Sequence, residues 1–433
     1  MKLDRQLWFL AIGFIFFLTF PNGIIISDEY SYLTLGMKIS EHLGFVHDYD
    51  FKGLDIYYQK YSIGYPFLLS IFSLLGAKVS FLANITMLFL SVGFLSGICK
   101  KIGIHSYWAY ALMFFMPVVF SSRVLLSEMS ALFLVILFLW AFFAEESVRS
   151  YFLLGFICFV SFWFREGTIV LLFPLLLYRA LTCMRLLMPM VLGLIVGLCP
   201  MILQFSFYGV LELRNTGVNF GFDKLLSNLA LVLYVGLLVF PLGLVYMYRS
   251  KLREKNILIV AMGAYTLMQV LYQYNGLELT GIKALISYPR FYVVLAPFFI
   301  LFYGSSTISI SKRVLYIGSI VVFAVFSGGF YFVDLQYEKI RKLVYSNVQD
   351  GTLHSNGTIN EISKIIFPER GDLSLGMVEN VNVKSLNSND YILDVKRNDS
   401  AIWSDNLAPI KEGTLLDSIS IMGFLDYRLL KIQ

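Results

Sequence analysis

About eleven apolar segments divide this chain, and they constrain its fold more than any other feature. They lie near 7–26, 83–98, 107–122, 124–144, 150–164, 167–181, 186–207, 229–248, 256–273, 290–304 and 313–333. A helix of about 20 apolar residues crosses a bilayer core, and partly buried helices are shorter. Of the 433 residues only 15% are charged, against about 25% in soluble domains. The fold class predicted is an all-α polytopic membrane protein with about eleven transmembrane helices.

The short basic loops predict how these helices are oriented. With a cytoplasmic N-terminus, every short basic cluster lies on the cytoplasmic side, as the positive-inside rule requires. The clusters are Lys100-Lys101, Arg149, Arg179 with Arg185, four basic residues within 249–255, and Lys312-Arg313. The net charge of +5 is thereby explained by topology, so no nucleic acid partner is predicted. We expect a multi-pass protein of the plasma membrane, surrounded by membrane lipids.

The long polar segments then lie on the extracytoplasmic side. They are 27–62, 209–228, 274–288 and a tail that begins near 334. We expect a membrane domain over 1–335, in which the external loop 27–62 leads into a juxtamembrane helix over 63–77. The tail over 336–433 is predicted to be a small extracytoplasmic domain, either α+β or loosely ordered.

Four groups of charged residues border the apolar segments on this same side, where ionisable residues indicate function. They are Asp28 with Glu29, Arg123 with Glu128, Arg165 with Glu166, and Arg290. Carboxylates accept protons and guanidinium groups bind phosphate, so the set suits a site where a lipid-borne phosphate meets a hydroxyl group. Structural alternatives remain open: Ser27 capping a helix with acids in its first turn, Arg123 paired with Glu128, or Arg290 anchored at the interface.

The order of these motifs resembles the GT-C superfamily of membrane glycosyltransferases, which includes protein mannosyltransferases and bacterial enzymes that modify lipid A. The motifs are Asp28-Glu29-Tyr30, the segment 60–69, the segment 122–128, Phe164-Arg165-Glu166-Gly167 and the segment 288–297. The resemblance covers roughly 1–335 and leaves the tail outside. It implies a GT-C-like fold.

The resemblance also implies an activity: transfer of a sugar from a polyprenyl or dolichyl phosphate to a hydroxyl of a glycan, lipid or protein, with inversion. Asp28 is then the general base and Glu29 supports it. Arg290, with Arg165, stabilises the leaving phosphate. Glu128 orients the acceptor or positions an arginine.

The remaining residues of the predicted binding site are Glu166, Lys60 and Tyr61, which are similar to the family's loop and turn motifs. Two segments depart from the family pattern: Tyr30-Ser31-Tyr32, where many members have Arg-Tyr, and Gly64-Tyr65-Pro66, where many have Lys-Pro-Pro. These departures leave the identity of the sugar and of the acceptor open.

No cofactor is predicted. His42, His47, Asp48 and Asp50 lie in the first loop, but their spacing matches no strong metal-binding pattern. Three other functions remain compatible with the sequence: a transporter or flippase of lipid-linked glycans, a glycan polymerase or ligase of another fold, and a non-catalytic scaffold. A transporter is disfavoured because the sequence has no paired halves with matching Gly- or Pro-broken helices.

Overall fold

A computed structural model gives the architecture. It describes residues 2–25, 27–42, 50–51, 54–55, 62–208, 219–220, 225–273, 288–306, 310–348, 352–355, 374–377, 390–397, 414–421 and 425–431.

Helices dominate the part of the chain that the structure describes. The α-helices are α1 (Lys2–Leu18), α2 (Ser27–His42), α3 (Gly64–Ser73), α4 (Leu82–Lys101), α5 (Met116–Arg123), α6 (Glu128–Phe142), α7 (Val148–Phe164), α8 (Thr168–Thr182), α9 (Leu187–Tyr208), α10 (Leu225–Leu238), α11 (Gly243–Arg249), α12 (Lys255–Leu271), α13 (Ala296–Ser305) and α14 (Lys312–Asn347). Short 3-10 helices cover Ala77–Phe81, Ser106–Phe114, Met184–Leu186 and Tyr288–Leu295.

Every apolar segment predicted from the sequence overlaps a helix, but several predicted spans are broken. The segment predicted over 229–248 divides into α10 and α11 around Pro241, which has no backbone N–H to donate, and Leu242, whose φ of 58° is left-handed. In the segment predicted over 7–26, the observed helix α1 already ends at Leu18. The last helix runs to Asn347, well beyond the predicted end near 333.

Helix length and composition support fewer unbroken spans than were predicted. Among the described helices, two can cross a membrane by themselves, Ala77–Lys101 and Lys312–Asn347. Up to four can do so if each of two bent pairs counts as one span. One pair is α5 with α6, bent by 119°, and the other is α8 with the helical residues after it, bent by 114°. The count of eleven is therefore not confirmed, because several of the described apolar helices have only 10–17 residues and each bent pair joins two segments predicted as separate spans.

Two compact units divide the chain. The first contains residues 1–18, 59–68 and 82–327. Within it α7 and α9 pack at backbone contact, because Gly193 and Gly197, four residues apart on α9, meet the carbonyl groups of Phe152 and Phe156. A Cβ at Gly193 would overlap the Phe152 oxygen. Such small-residue faces let membrane helices approach closely.

The second unit contains residues 19–58, 69–81 and 328–433. Its sheet has the strand order β6-β5-β7-β9-β8, where β5 is Thr352–Ser355, β6 is Ser374–Met377, β7 is Tyr391–Arg397, β8 is Thr414–Ile421 and β9 is Leu425–Lys431. β6, β5 and β7 are parallel, whereas β9 pairs antiparallel with both β7 and β8. The tail thus contains an ordered sheet. The predicted domain boundary at 335/336 stays a prediction.

Two short ladders lie outside this sheet. β1 (Asp50–Phe51) pairs with β2 (Leu54–Asp55) in the first loop, and β3 (Asn219–Phe220) pairs with β4 (Tyr272–Gln273). The first loop also contains α2, which is polar overall and so gave no apolar signal in the sequence. The juxtamembrane helix predicted over 63–77 is present as α3.

Candidate functional site

A buried carboxylate, that of Glu128, is the centre of the candidate site in the first unit. Glu128 is the first residue of α6 and is 3% exposed. It follows the sharp break between α5 and α6, so it lies at a helix N-terminus, where the helix dipole stabilises negative charge. The helix break therefore places a carboxylate in an apolar interior, at the start of a helix.

Asn84, on α4, holds this break in place. Its side-chain amide donates to the carbonyl oxygens of Ser121 at 3.0 Å and Leu126 at 3.1 Å, and also to that of Val124. Tyr65 donates to the Asn84 amide oxygen at 3.0 Å. A helix break leaves carbonyl groups without their usual i+4 partners, and buried carbonyl groups need a donor. Asn84 supplies that donor to the Leu126 carbonyl, which lies two residues before Glu128.

Arg165 forms one half of an ion-pair cluster on Glu128. It is the C-terminal cap of α7, in the short turn before α8. One of its terminal nitrogens lies 3.2 Å from the Glu128 carboxylate and 3.3 Å from the Ser127 hydroxyl. Thr168 closes the turn by donating to the Arg165 carbonyl at 2.7 Å. The charged turn predicted from the sequence thus points its arginine at the predicted acid.

Arg290 forms the other half. Its Nε lies 3.5 Å from the same Glu128 oxygen. The guanidinium carbons of Arg165 and Arg290 lie 5.2 and 5.1 Å from the centre of the Phe291 ring, within cation–π distance. We call Glu128, Arg165 and Arg290 the arginine–glutamate cluster. It carries two positive charges and one negative charge, so its formal charge is +1.

Tyrosines surround the segment that carries Arg290. Tyr265 on α12 donates to the Phe291 carbonyl at 2.6 Å. The hydroxyl groups of Tyr288 and Tyr292 are 3.1 Å apart, and burial raises the pKa of Tyr288 to about 12. The 3-10 helix that presents Arg290 is thus contacted from α12 by the Tyr265 hydroxyl, and a tyrosine pair lies within it.

The other residues predicted for the binding site have different surroundings. Glu166 accepts a hydrogen bond from the Ser62 hydroxyl, which joins the start of the juxtamembrane segment to the charged turn. Lys60 and Tyr61 lie outside the described residues. Arg123 is buried at the end of α5 with its guanidinium carbon 4.7 Å from the centre of the Phe16 ring.

In the second unit, Asp28 and Glu29 lie in the first turn of α2, as in the alternative of a helix that begins at Ser27. The buried Glu29 carboxylate accepts the backbone N–H of Ile25 at 2.8 Å. That contact resembles the back-bonding glutamate of a capping box. Asp28 is only half-buried. The catalytic roles of both acids stay predictions.

The described residues contain no group of three or more His, Cys, Asp or Glu side chains that could hold a metal ion. The side chains of His42, His47, Asp48 and Asp50 lie outside this description. Sequence reasoning missed Asn84, although one signal was available: it is an amide within a predicted membrane span, where polar side chains are costly. Phe291 and Tyr265 carry no comparable signal.

Comparison with known proteins identifies the fold. No family model matches the sequence, and no curated protein matches it. The structure is similar to the crystal structure of ArnT from Cupriavidus metallidurans bound to undecaprenyl phosphate, with a TM-score of 0.61 and 13% identity over 98% of this chain and 97% of that one. ArnT is a lipid A aminoarabinose transferase of the GT-C superfamily. The fold is GT-C-like.

The apo-state crystal structure of the same enzyme covers the same share of both chains, with a TM-score of 0.49 and 10% identity. The similarity to the undecaprenyl phosphate-bound structure, with its TM-score of 0.61, confirms the resemblance found in the sequence at the level of fold. The GT-C-like fold and the apolar helices together are those of an integral membrane protein. At 13% identity the similarity concerns the fold, so residue roles in this chain rest on its own geometry.

Proposed function

We propose that this chain is a membrane glycosyltransferase that moves a sugar from a polyprenyl-phosphate donor to a hydroxyl group of a glycan, lipid or protein. The arginine–glutamate cluster is the observation that carries the proposal. It combines two guanidinium groups, one buried carboxylate and a net positive charge within an apolar GT-C-like bundle. The structural relative ArnT is described as bound to undecaprenyl phosphate, an anion of the class that such a cluster suits.

The proposed role of Arg165 and Arg290 is to bind the donor phosphate and stabilise its charge as the sugar leaves. Their side chains are 18% and 15% exposed, so they are shielded from bulk water without being sealed. Attraction between a guanidinium group and phosphate is stronger in such surroundings than in water. Glu128 neutralises one of the two positive charges and holds both side chains in one orientation, which keeps the pair ordered before the donor binds.

Asp28 is the proposed general base. The hydroxyl oxygen of the acceptor attacks the anomeric carbon, and the bond from that carbon to the phosphate oxygen breaks. The acceptor proton passes to the Asp28 carboxylate, and polyprenyl phosphate leaves as an anion. Attack opposite the leaving group inverts the anomeric centre. Phosphate is a good leaving group, so the mechanism needs no protein acid to protonate it.

Turnover of labelled polyprenyl-phosphate sugars by purified protein in nanodiscs tests the proposal. The variants are Asp28→Asn, which keeps size and removes the base, and Asp417→Asn, the same change at an exposed position on β8. We expect turnover by the wild type and by Asp417→Asn, and its loss in Asp28→Asn with donor binding retained. Equal turnover by all three would remove Asp28 from the mechanism. In sealed proteoliposomes, donor translocation into the opposite leaflet without sugar transfer would favour a flippase.

The proposed orientation has a cytoplasmic N-terminus and an extracytoplasmic tail, with the chemistry on the outer face. The positive-inside distribution of basic residues supports it. Reporter fusions at the C-terminus test it, with alkaline phosphatase for the outside and a fluorescent protein for the cytoplasm. A cytoplasmic tail would contradict the orientation.

A further inference from the structure

Three ionisable residues on the C-terminal half of α14 are unused by the proposed mechanism. Asp334, Glu338 and Arg341 are spaced four and three residues apart, so they share one face of the helix. Asp334 is 1% exposed and Arg341 is 3% exposed. Charged residues are almost never fully buried unless they are paired. Their burial therefore calls for a specific set of contacts.

Those contacts are made with each other and with the segment before α2. Arg341 lies 3.3 Å from Asp334 and 3.2 Å from Glu338, and it donates to the Ile24 carbonyl at 2.9 Å. Asp334 accepts the backbone N–H of Asn22. We call Asp334, Glu338 and Arg341 the α14 clamp. Two of its members, Asp334 and Arg341, bind the backbone of Asn22 and Ile24. All of these residues belong to the second unit.

Gly23, at the centre of this segment, lies directly against the Arg341 guanidinium group. A Cβ on Gly23 would overlap the guanidinium group of Arg341. The Ile25 N–H is taken by Glu29, and α2 begins two residues later. The other end of α2 is also held, because the Ser73 hydroxyl lies 3.1 Å from that of Ser40. The backbone that carries Asp28 is thus fixed from both ends by side-chain contacts.

Stability alone is a poor reason to keep such a clamp. Replacing a buried ion pair by well-packed apolar residues is often neutral or stabilising, whereas a buried pair can specify one geometry. We infer that Asp334 and Arg341 are positioning residues that fix the Asp28 carboxylate for proton transfer. The inference rests on the proposed role of Asp28 as the base. A displacement of about 1 Å in a catalytic group can reduce turnover about 100-fold.

Hydrogen–deuterium exchange of the full-length protein in nanodiscs tests the clamp independently of catalysis. Asp334→Asn removes the charge, Arg341→Lys keeps the charge and removes the planar fork, and Lys342→Gln is the control. Lys342 is on the same helix and also pairs with Glu338, but it is 76% exposed. We expect exchange of the Asn22 amide to be about tenfold faster in both clamp variants, because a charge-assisted hydrogen bond is lost or weakened. The control should match the wild type.

Steady-state kinetics test positioning. We expect kcat to fall at least about tenfold in both clamp variants while KM for the donor changes less than about twofold, since the proposed donor-binding cluster is unaltered. Lys342→Gln should keep wild-type kinetics. Faster Asn22 exchange with wild-type kcat would overturn the inference, and so would wild-type exchange in both variants. Exchange of the β7 backbone amides reports whether each variant is folded. If Asp334→Asn does not fold, the Arg341→Lys variant alone decides between the outcomes.

Failure of the proposed function gives a different result. If Asp28→Asn retains wild-type turnover, Asp28 is not the base and the positioning role falls with it, whatever the exchange data show. If Asp28→Asn is inactive and both clamp variants turn over as fast as the wild type, the proposed function stands and only the inference fails.

Discussion

Substitution of Glu128 by glutamine is the sharpest test of the arginine–glutamate cluster. At an effective dielectric constant of about 20, charges 3.2 and 3.5 Å apart attract by about 5 kcal/mol each. Desolvation of the carboxylate offsets several kcal/mol of this. Removing one partner of a buried pair costs about 3–5 kcal/mol. Because both arginines are partly exposed, we expect a cost at the lower end of this range, about 3 kcal/mol. If that energy orients the guanidinium groups in the transition state, kcat/KM falls about 100-fold.

In the Glu128→Gln enzyme the decrease in kcat/KM should come from a lower kcat. Removing Glu128 raises the formal charge of the cluster from +1 to +2, which does not weaken attraction for a phosphate, so KM for the donor should not rise. The chain offers a matched control in Glu146, which also lies within 3.7 Å of two arginines, Arg179 and Arg185, but is 41% exposed. Exposed ion pairs contribute about 0–1 kcal/mol, so Glu146→Gln should change kcat/KM less than about fivefold. A Glu128→Gln enzyme no slower than the Glu146→Gln enzyme would refute the reasoning.

Three further predictions follow from single contacts. Asn84→Leu removes hydrogen bonds to several buried groups, at about 1–3 kcal/mol each, and should lower thermal stability in detergent. The control, Ser91→Ala, removes a hydroxyl without a partner among the described residues and should leave the stability unchanged. Arg290→Lys removes the planar fork and should raise KM for the donor roughly 10- to 100-fold, measured by initial rates. Gly193→Ala should destabilise the protein by about 1–3 kcal/mol through overlap with the α7 backbone. Gly236 has open space around it, so Gly236→Ala should not destabilise the protein. Equal melting temperatures for the two variants would contradict the close packing of α7 and α9.

The sequence predicted the helical regions well because membrane helices depend on local composition. Each predicted apolar segment overlaps a helix. The differences between the predicted and the observed helices also have local causes. The polar helix α2 carries no apolar signal. The break at Leu242 lies inside one predicted segment, 229–248, whereas the bend between α5 and α6 joins two segments predicted as separate spans. A count of segments therefore overestimates the number of unbroken spans.

The candidate site was predictable only in part. The sequence indicated that Glu128, Arg165 and Arg290 would lie on one side of the membrane, and it suggested that Glu128 positions an arginine. It did not indicate that one carboxylate contacts both arginines. Asn84 was detectable as a polar residue within an apolar run, but not its bonds to the break before α6.

What the sequence determined by itself was the class of protein, because insertion into a bilayer depends on sums over about 20 consecutive residues. What only the tertiary structure decided was which charges meet. Asp334 binds the backbone of Asn22 across 312 positions of sequence, and Arg165 reaches Glu128 through a turn set by α7 and α8. Such pairings have no local signature. They follow from how the helices pack, since a buried charge is stable only where packing brings it a partner.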